Sequence, residues 1–189
     1  MVKVAILHEG QKDKSLDSEI LKLLLEKLEL DKCKVEFFGF GAKSNFFKLE
    51  NVKYKRLQQQ IDEEEINKIL FIIDSDYIAN DSVYNGYDNT YNELTKIIHL
   101  LNLESISDIY ISCEPITKNG YMESLVLSTI PKEQKQCIEN FLQCNEFKSK
   151  ENDKAIINQI YKSAYPNASY EFSHKNFNLL KQKLQKLFN

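Results

Sequence analysis

Residues 68–77, KILFIIDSDY, decide the fold. Positions 69–73 are all apolar, with none of the alternation of a strand that has one wet face, and the run stops at Asp74-Ser75-Asp76. A central strand of a parallel sheet, covered by helices on both sides, reads this way. Upstream, residues 2–7 (VKVAIL) and 35–40 (VEFFGF) read as further strands. Residues 15–30 between them read as a helix, with Ile20, Leu24 and Leu28 in line and Leu21 and Leu25 alongside, a stripe wide enough to cover a sheet. The stretch 43–65 is polar and helical in part. Downstream, Asp88-Asn89-Thr90 offers capping residues to a helix carrying Leu94, Ile97, Ile98 and Leu101, and residues 107–113 (SDIYISC) read as a fourth strand.

Strands alternating with helices are the pattern of βαβ units. From residue 121 onward only helical segments follow, near 121–129, 132–143, 152–164 and 174–188, punctuated by Pro131 and Pro166. The expected architecture is an α/β core over residues 1–115, on a mostly parallel sheet of about four strands flanked by helices. A helical C-terminal part, 116–189, packs on that core to give one compact domain.

The chain has 189 residues and 42% hydrophobic content, enough for one core of ordinary size. Its 25 basic residues face 28 acidic ones, a formal net charge of −3, so no chain-wide field draws it to nucleic acid or to an anionic membrane. A polyanionic partner has to be met locally. No stretch approaches the roughly 20 apolar residues of a membrane span, and the run from Val4 to Leu7 is too short for a secretory signal, so the expectation is a soluble, cytoplasmic protein with no membrane partner. Cys33, Cys113, Cys137 and Cys144 form no CxxC pair and match no histidine spacing, which predicts reduced, mostly buried thiols.

In an open parallel sheet, ligands bind beyond the carboxyl ends of the strands. Acidic residues fall at those ends: Glu9 with Gly10 after the first strand, Asp74 and Asp76 after the third, Glu114 after the fourth. Aspartates separated by one residue can point to the same side, and paired hard oxygens suit Mg²⁺ (or Mn²⁺), which takes one or two carboxylates together with waters and phosphate oxygens. Acidic residues after strands also cap helices and favour turns. Glu9 is not an obvious cap, because Lys12, Asp13 and Lys14 separate it from the next helix. His8 is set on the opposite side of its strand from Glu9. His99 reads as a core or boundary histidine and His174 as part of the final helix's first turn. The segment 39–44 (GFGAKS) lacks the glycine spacing of a phosphate loop, but Lys43 and Ser44 are placed to contact phosphate from the end of the second strand. Phe46, Phe47, Tyr77, Tyr84 and Tyr87 fall in loops at the same edge, where aromatic rings either fill a small core or stack on bases.

The opening VAILHEGQKDKSLDSEILKLLLEKL, with KILFIIDSDY, resembles the Toprim domain shared by topoisomerases, bacterial primases and nucleases of the overcoming-lysogenisation-defect class. The resemblance implies a Rossmann-like Toprim fold, Glu9 as acid/base or metal ligand, Asp74 and Asp76 as Mg²⁺ ligands, and Gly10 as the glycine beneath the site. It extends to a stand-alone Toprim-like group of bacterial proteins through Gly120-Tyr121-Met122-Glu123 and through Asp153-Lys154 heading AIINQIY, which adds Glu123 and Lys154 as further candidates; Asp13, shortly after Glu9, is another. Many Toprim sequences carry glycine or a third acid soon after the Asp-x-Asp pair. Here Tyr77, Ile78 and Ala79 follow, so one-metal and two-metal arrangements both stay open.

The implied activity is Mg²⁺-dependent phosphodiester or phosphoryl-transfer chemistry on nucleic acid, DNA or RNA, and a Toprim-type nuclease above all. The alternative is a catalytically weak or inactive binding or regulatory subunit acting with a partner protein or as a homodimer. A receiver-like signalling domain is disfavoured, since it needs an acidic pair after the first strand and a lysine after a fifth.

Overall fold

A computed structural model describes residues 2–11, 15–79, 81–144, 150–164 and 170–189, excluding the side chains of Leu16 and of residues 150–155. Within them the chain runs β1 (Lys3–His8), α1 (Leu16–Lys27), β2 (Val35–Gly39), α2 (Lys43–Phe46), α3 (Val52–Asp62), β3 (Ile66–Asp74), α4 (Tyr87–Leu100), β4 (Ser107–Ser112), α5 (Met122–Leu127), α6 (Lys132–Cys144), α7 (Lys150–Ala164) and α8 (Asn178–Phe188). The strands form one sheet in the order β2-β1-β3-β4, and every pairing is parallel. The chain is therefore α/β, with a four-stranded parallel sheet flanked by helices and a helical C-terminal part, as the sequence predicts.

The order reverses once. From β1 the chain moves outward to β2, then returns past β1 to β3 and on to β4. Crossovers between parallel strands are right-handed, so reversing direction puts the connecting helix on the other face. The core residues obey this. Val4 and Ile6 of β1 and Leu70 and Ile72 of β3 pack with Ile20 and Leu24 of α1, and α8 adds Leu180, Leu184 and Leu187 on the same face. Ala5, Leu7, Phe71 and Ile73 turn the other way, onto Leu57 of α3 and Leu94 and Ile98 of α4. Tyr121, Leu127, Ile138, Leu142 and Ile157 make a smaller cluster among α5, α6 and α7.

Three of the boundaries that differ from the sequence reading have a clear local reason. β3 begins at Ile66 instead of 68, because an irregularity opposite Lys3 and Val4 skips Asn67 in the β1 register and resets the alternation. It also runs on to Asp74, so the first aspartate of the Asp-x-Asp pair sits on the ladder opposite Ser112. Helix α1, capped by Ser15 Oγ accepting from the Ser18 amide at 3.3 Å, ends at Lys27 and not near residue 30. There Glu29 turns left-handed (φ 57°) and the Leu30 amide bonds back to the Leu25 carbonyl at 2.9 Å. This closing turn keeps Leu28 and Leu30 against the core, so the apolar stripe outlasts the helix.

The cysteine expectation needs correction. Cys113 is buried, but Cys33, in the turn before β2, is exposed, as are Cys137 and Cys144, because the apolar seam of α6 runs through Ile138 and Leu142 and leaves its two cysteines outside it. His99 is likewise exposed, paired with Glu104, and is not a core residue. Among the described residues no helix is long and apolar enough to cross a membrane.

Lys183 and Lys186 of α8 both reach Asp108 on β4, tying the last helix to the sheet. Burial pushes the Asp108 carboxyl up, but Lys183, the Ile109 amide and Lys186 outweigh it and hold the carboxyl below the ordinary range. A lowered native pKa stabilises the fold above the unfolded-state value, about pH 4, and that contribution is lost as the pH falls through the native pKa. Acid titration should therefore loosen the wild type progressively below about pH 4, while Asp108→Asn loses that component and is weaker at neutral pH, as followed by urea midpoints across pH. Leu70, fully buried at the sheet centre, should cost about 2–5 kcal/mol when replaced by alanine, read from urea denaturation at constant m-value.

Candidate functional site

The reversal of strand order leaves a crevice where the connections from β1 and β3 depart to opposite faces, and this switch point is where open α/β sheets bind ligands. Glu9 follows β1 directly and Asp74 closes β3, its neighbour. The two are joined: Glu9 Oε1 accepts from the Asp74 amide at 2.9 Å. Asp74 is only 3% exposed. Its Oδ1 accepts from the Met122 amide, at the start of α5, at 3.1 Å, which anchors that helix to the sheet edge.

Beyond Asp74 the chain leaves the ladder through a tightly held turn. The Ser75 amide donates to the Ser112 carbonyl at 2.9 Å and the Ser75 hydroxyl to the Lys118 carbonyl at 2.7 Å. Asp76 adopts a left-handed conformation (φ 57°), which breaks the two-residue alternation of a strand. Its backbone exchanges hydrogen bonds with Gly120, at 2.6 and 3.1 Å. Its carboxylate meets Lys43, with Nζ 3.2 Å from Oδ2. The structure thus brings Glu9 and Asp74 together and pairs Asp76 with a lysine. Among the described residues no group of three or more His, Cys, Asp or Glu side chains is placed to hold a metal ion.

Lys43 is buried at the start of α2 and donates to the Ser75 carbonyl at 2.8 Å, to Asp76, and to Asn85 Oδ1 at 3.3 Å. Gly10 is required by close approach: a Cβ there would stand 1.9 Å from Ser15 Oγ, and one on Gly39 would stand 2.3 Å from the Gly10 carbonyl. The two glycines let the turns after β1 and β2 nest at the helix-capping serine. Glu123 is buried in the first turn of α5. Asp13 lies outside the described residues, as does the side chain of Lys154, whose backbone belongs to α7. Glu114 accepts from the Ile116 and Thr117 amides and lies 3.6 Å from Lys135. It closes the turn after β4. His8 is buried on the face covered by α1, edge-on to Phe37 with ring centroids 6.0 Å apart.

The loop aromatics divide. Phe46 belongs to the core, Phe47 stacks on Tyr84 at 5.2 Å, and Lys118 lies over the Tyr87 ring at 5.1 Å. Tyr77 and Tyr84 remain exposed. Residues missed by the sequence reading are Ser75, Asn85 and Lys118, which fasten the turn after β3 through backbone, hydroxyl and amide groups. One signal was present: Asn85-Gly86 is a turn pair, and Gly86 (φ 94°) donates its amide to the Ser75 carbonyl at 2.8 Å.

Cys113 sits beside this edge, at the end of β4. Burial first, then the nearby carboxylates of Glu114 and Asp74, push its thiol up to about 11 against the opposing pull of Lys118. With that shift the thiol form dominates at neutral pH.

Compared with protein-family models, curated proteins and solved structures, the chain matches none.

Iodoacetamide at pH 8 should alkylate Cys33, Cys137 and Cys144 at least about tenfold faster than Cys113, in proportion to the exposed thiolate. Peptide mass mapping over time measures the ratio; equal rates would contradict the burial and raised pKa of Cys113.

Proposed function

We propose that this chain is a Toprim-type, Mg²⁺-dependent enzyme acting on phosphodiesters of nucleic acid, with Glu9 and Asp74 as its ion-holding pair. The supporting observation is the direct link between Glu9 and the Asp74 amide at the switch point of a parallel sheet. The donor set fits the ion: two carboxylates at adjoining strand ends are hard oxygens, and Mg²⁺ characteristically takes one or two of these beside waters and phosphate oxygens. Asp76 is already matched by Lys43 and shapes the pocket wall. A bound Mg²⁺ would neutralise charge on the non-bridging and leaving oxygens of a phosphodiester.

The protein's own groups supply position and proton handling. Asp74, anchored through the Met122 amide, keeps its orientation without substrate. Glu9 is half-buried at the mouth of the crevice, where its carboxylate can orient or accept a proton from an attacking water. Exposed Tyr77 and Tyr84 offer ring faces to bases beyond the scissile phosphate. With a net charge of −3, recruitment depends on the phosphate at the ion and not on a basic surface.

One observation favours the second reading, a binding or regulatory subunit working with a partner: Asp74 and Asp76 are each engaged by protein groups, and the described residues contain no cluster of three ligands. Glu9→Gln and Asp74→Asn separate the two. Each keeps the oxygen that accepts its hydrogen bond, so both variants should fold. With labelled single- and double-stranded DNA and RNA in Mg²⁺ or Mn²⁺, the enzyme reading expects cleavage by the wild type and a loss of about 100-fold or more in each variant, with Mn²⁺ affinity falling in parallel. Full activity in both variants, or a wild type that neither binds Mn²⁺ nor cleaves, would sink it.

A further inference from the structure

The position of Lys43 carries more than the phosphate contact that its sequence position suggests. An ammonium has three N–H donors, and here all three are placed: on the Ser75 carbonyl at 2.8 Å, on Asp76 Oδ2 at 3.2 Å and on Asn85 Oδ1 at 3.3 Å. Nothing is left to reach a substrate. The side chain is 9% exposed, and a lysine charge is withdrawn from water only where acceptors and a counter-charge replace its hydration. Its three acceptors all come from the connection between β3 and α4, while Lys43 itself comes from beyond β2. A carboxylate, a backbone carbonyl and a side-chain amide oxygen converging on one buried point also make the donor chemistry of a hard-cation site.

We infer that the Lys43 ammonium fills a built cation position, in place of a second divalent ion. The ammonium already supplies the positive charge that a divalent ion would bring to Asp76; that there is a first ion, held by Glu9 and Asp74, rests on the function proposed above. The cradle itself does not. A covalently tethered cation needs no recruitment from solution and holds Asp76 in its left-handed turn whether or not a divalent ion is present.

The experiment counts Mn²⁺ bound per chain, by equilibrium dialysis and by the electron paramagnetic resonance of free Mn²⁺, at millimolar metal. The wild type should bind one ion. Lys43→Ala should gain a second, Lys43→Arg should bind one because it restores the charge, and Lys43→Ala with Asp76→Asn should return to one. No gain in a folded Lys43→Ala overturns the inference, as does a gain that survives Asp76→Asn. If the wild type binds none, the Glu9–Asp74 reading fails, but a single ion gained by Lys43→Ala and abolished by Asp76→Asn still upholds the cradle. Should Lys43→Ala be unfolded in chelator, Mn²⁺ or Ca²⁺ must restore its circular dichroism; failure to do so also overturns the proposal.

Discussion

The burial of β3 on both faces is the constraint from which the rest of the molecule follows. A strand with no wet side has to be central, and a central parallel strand needs helices above and below it. The chain meets this by sending α1 to one face and α3 and α4 to the other, with α8 returning from the far end of the sequence to complete the first face. Right-handed crossovers then leave one place where the connections part. The reversal between β1 and β3 is therefore a consequence of how the core is covered, and the crevice at that reversal comes with it.

Carboxylates at such an edge repel one another unless something offsets them. Different groups serve this chain's acids. Peptide N–H groups engage Glu9, Asp74 and Glu114, a buried lysine engages Asp76, and Lys135 approaches Glu114. The same contacts build the edge mechanically: Asp74 anchors α5, Asp76 pairs with Gly120, and Lys43 ties α2 to the loop before α4. Electrostatic relief and structural fastening are here the same bonds. A change in charge at the edge will therefore be felt as a change in loop geometry.

Much of this was legible from the residues. The unbroken apolar run at 69–73 marks a doubly buried strand because a strand with one wet face would alternate, and Glu9 and Asp74 could be located because they terminate such strands. What could not be read is the partner of each acid. Asp-x-Asp suggests two carboxylates on one side, but Asp76 takes a left-handed turn that the one-residue spacing cannot reveal. Its partner Lys43 lies 33 residues earlier, among 24 other basic residues that look alike in a linear chain. Cysteines go mostly inside by the habits of their residue type, whereas helix phase decides which side of α6 is wet and leaves Cys137 and Cys144 exposed.

By itself, the sequence determined the strands and helices, their alternation and the acids at strand ends, because periodicity and chain connectivity are local properties written into residue order. The tertiary structure alone decided which acids meet, which one is neutralised by a lysine, and which side chains line the crevice. Those outcomes depend on few-ångström distances between segments far apart in the chain, and these exist only once both faces of β3 are covered.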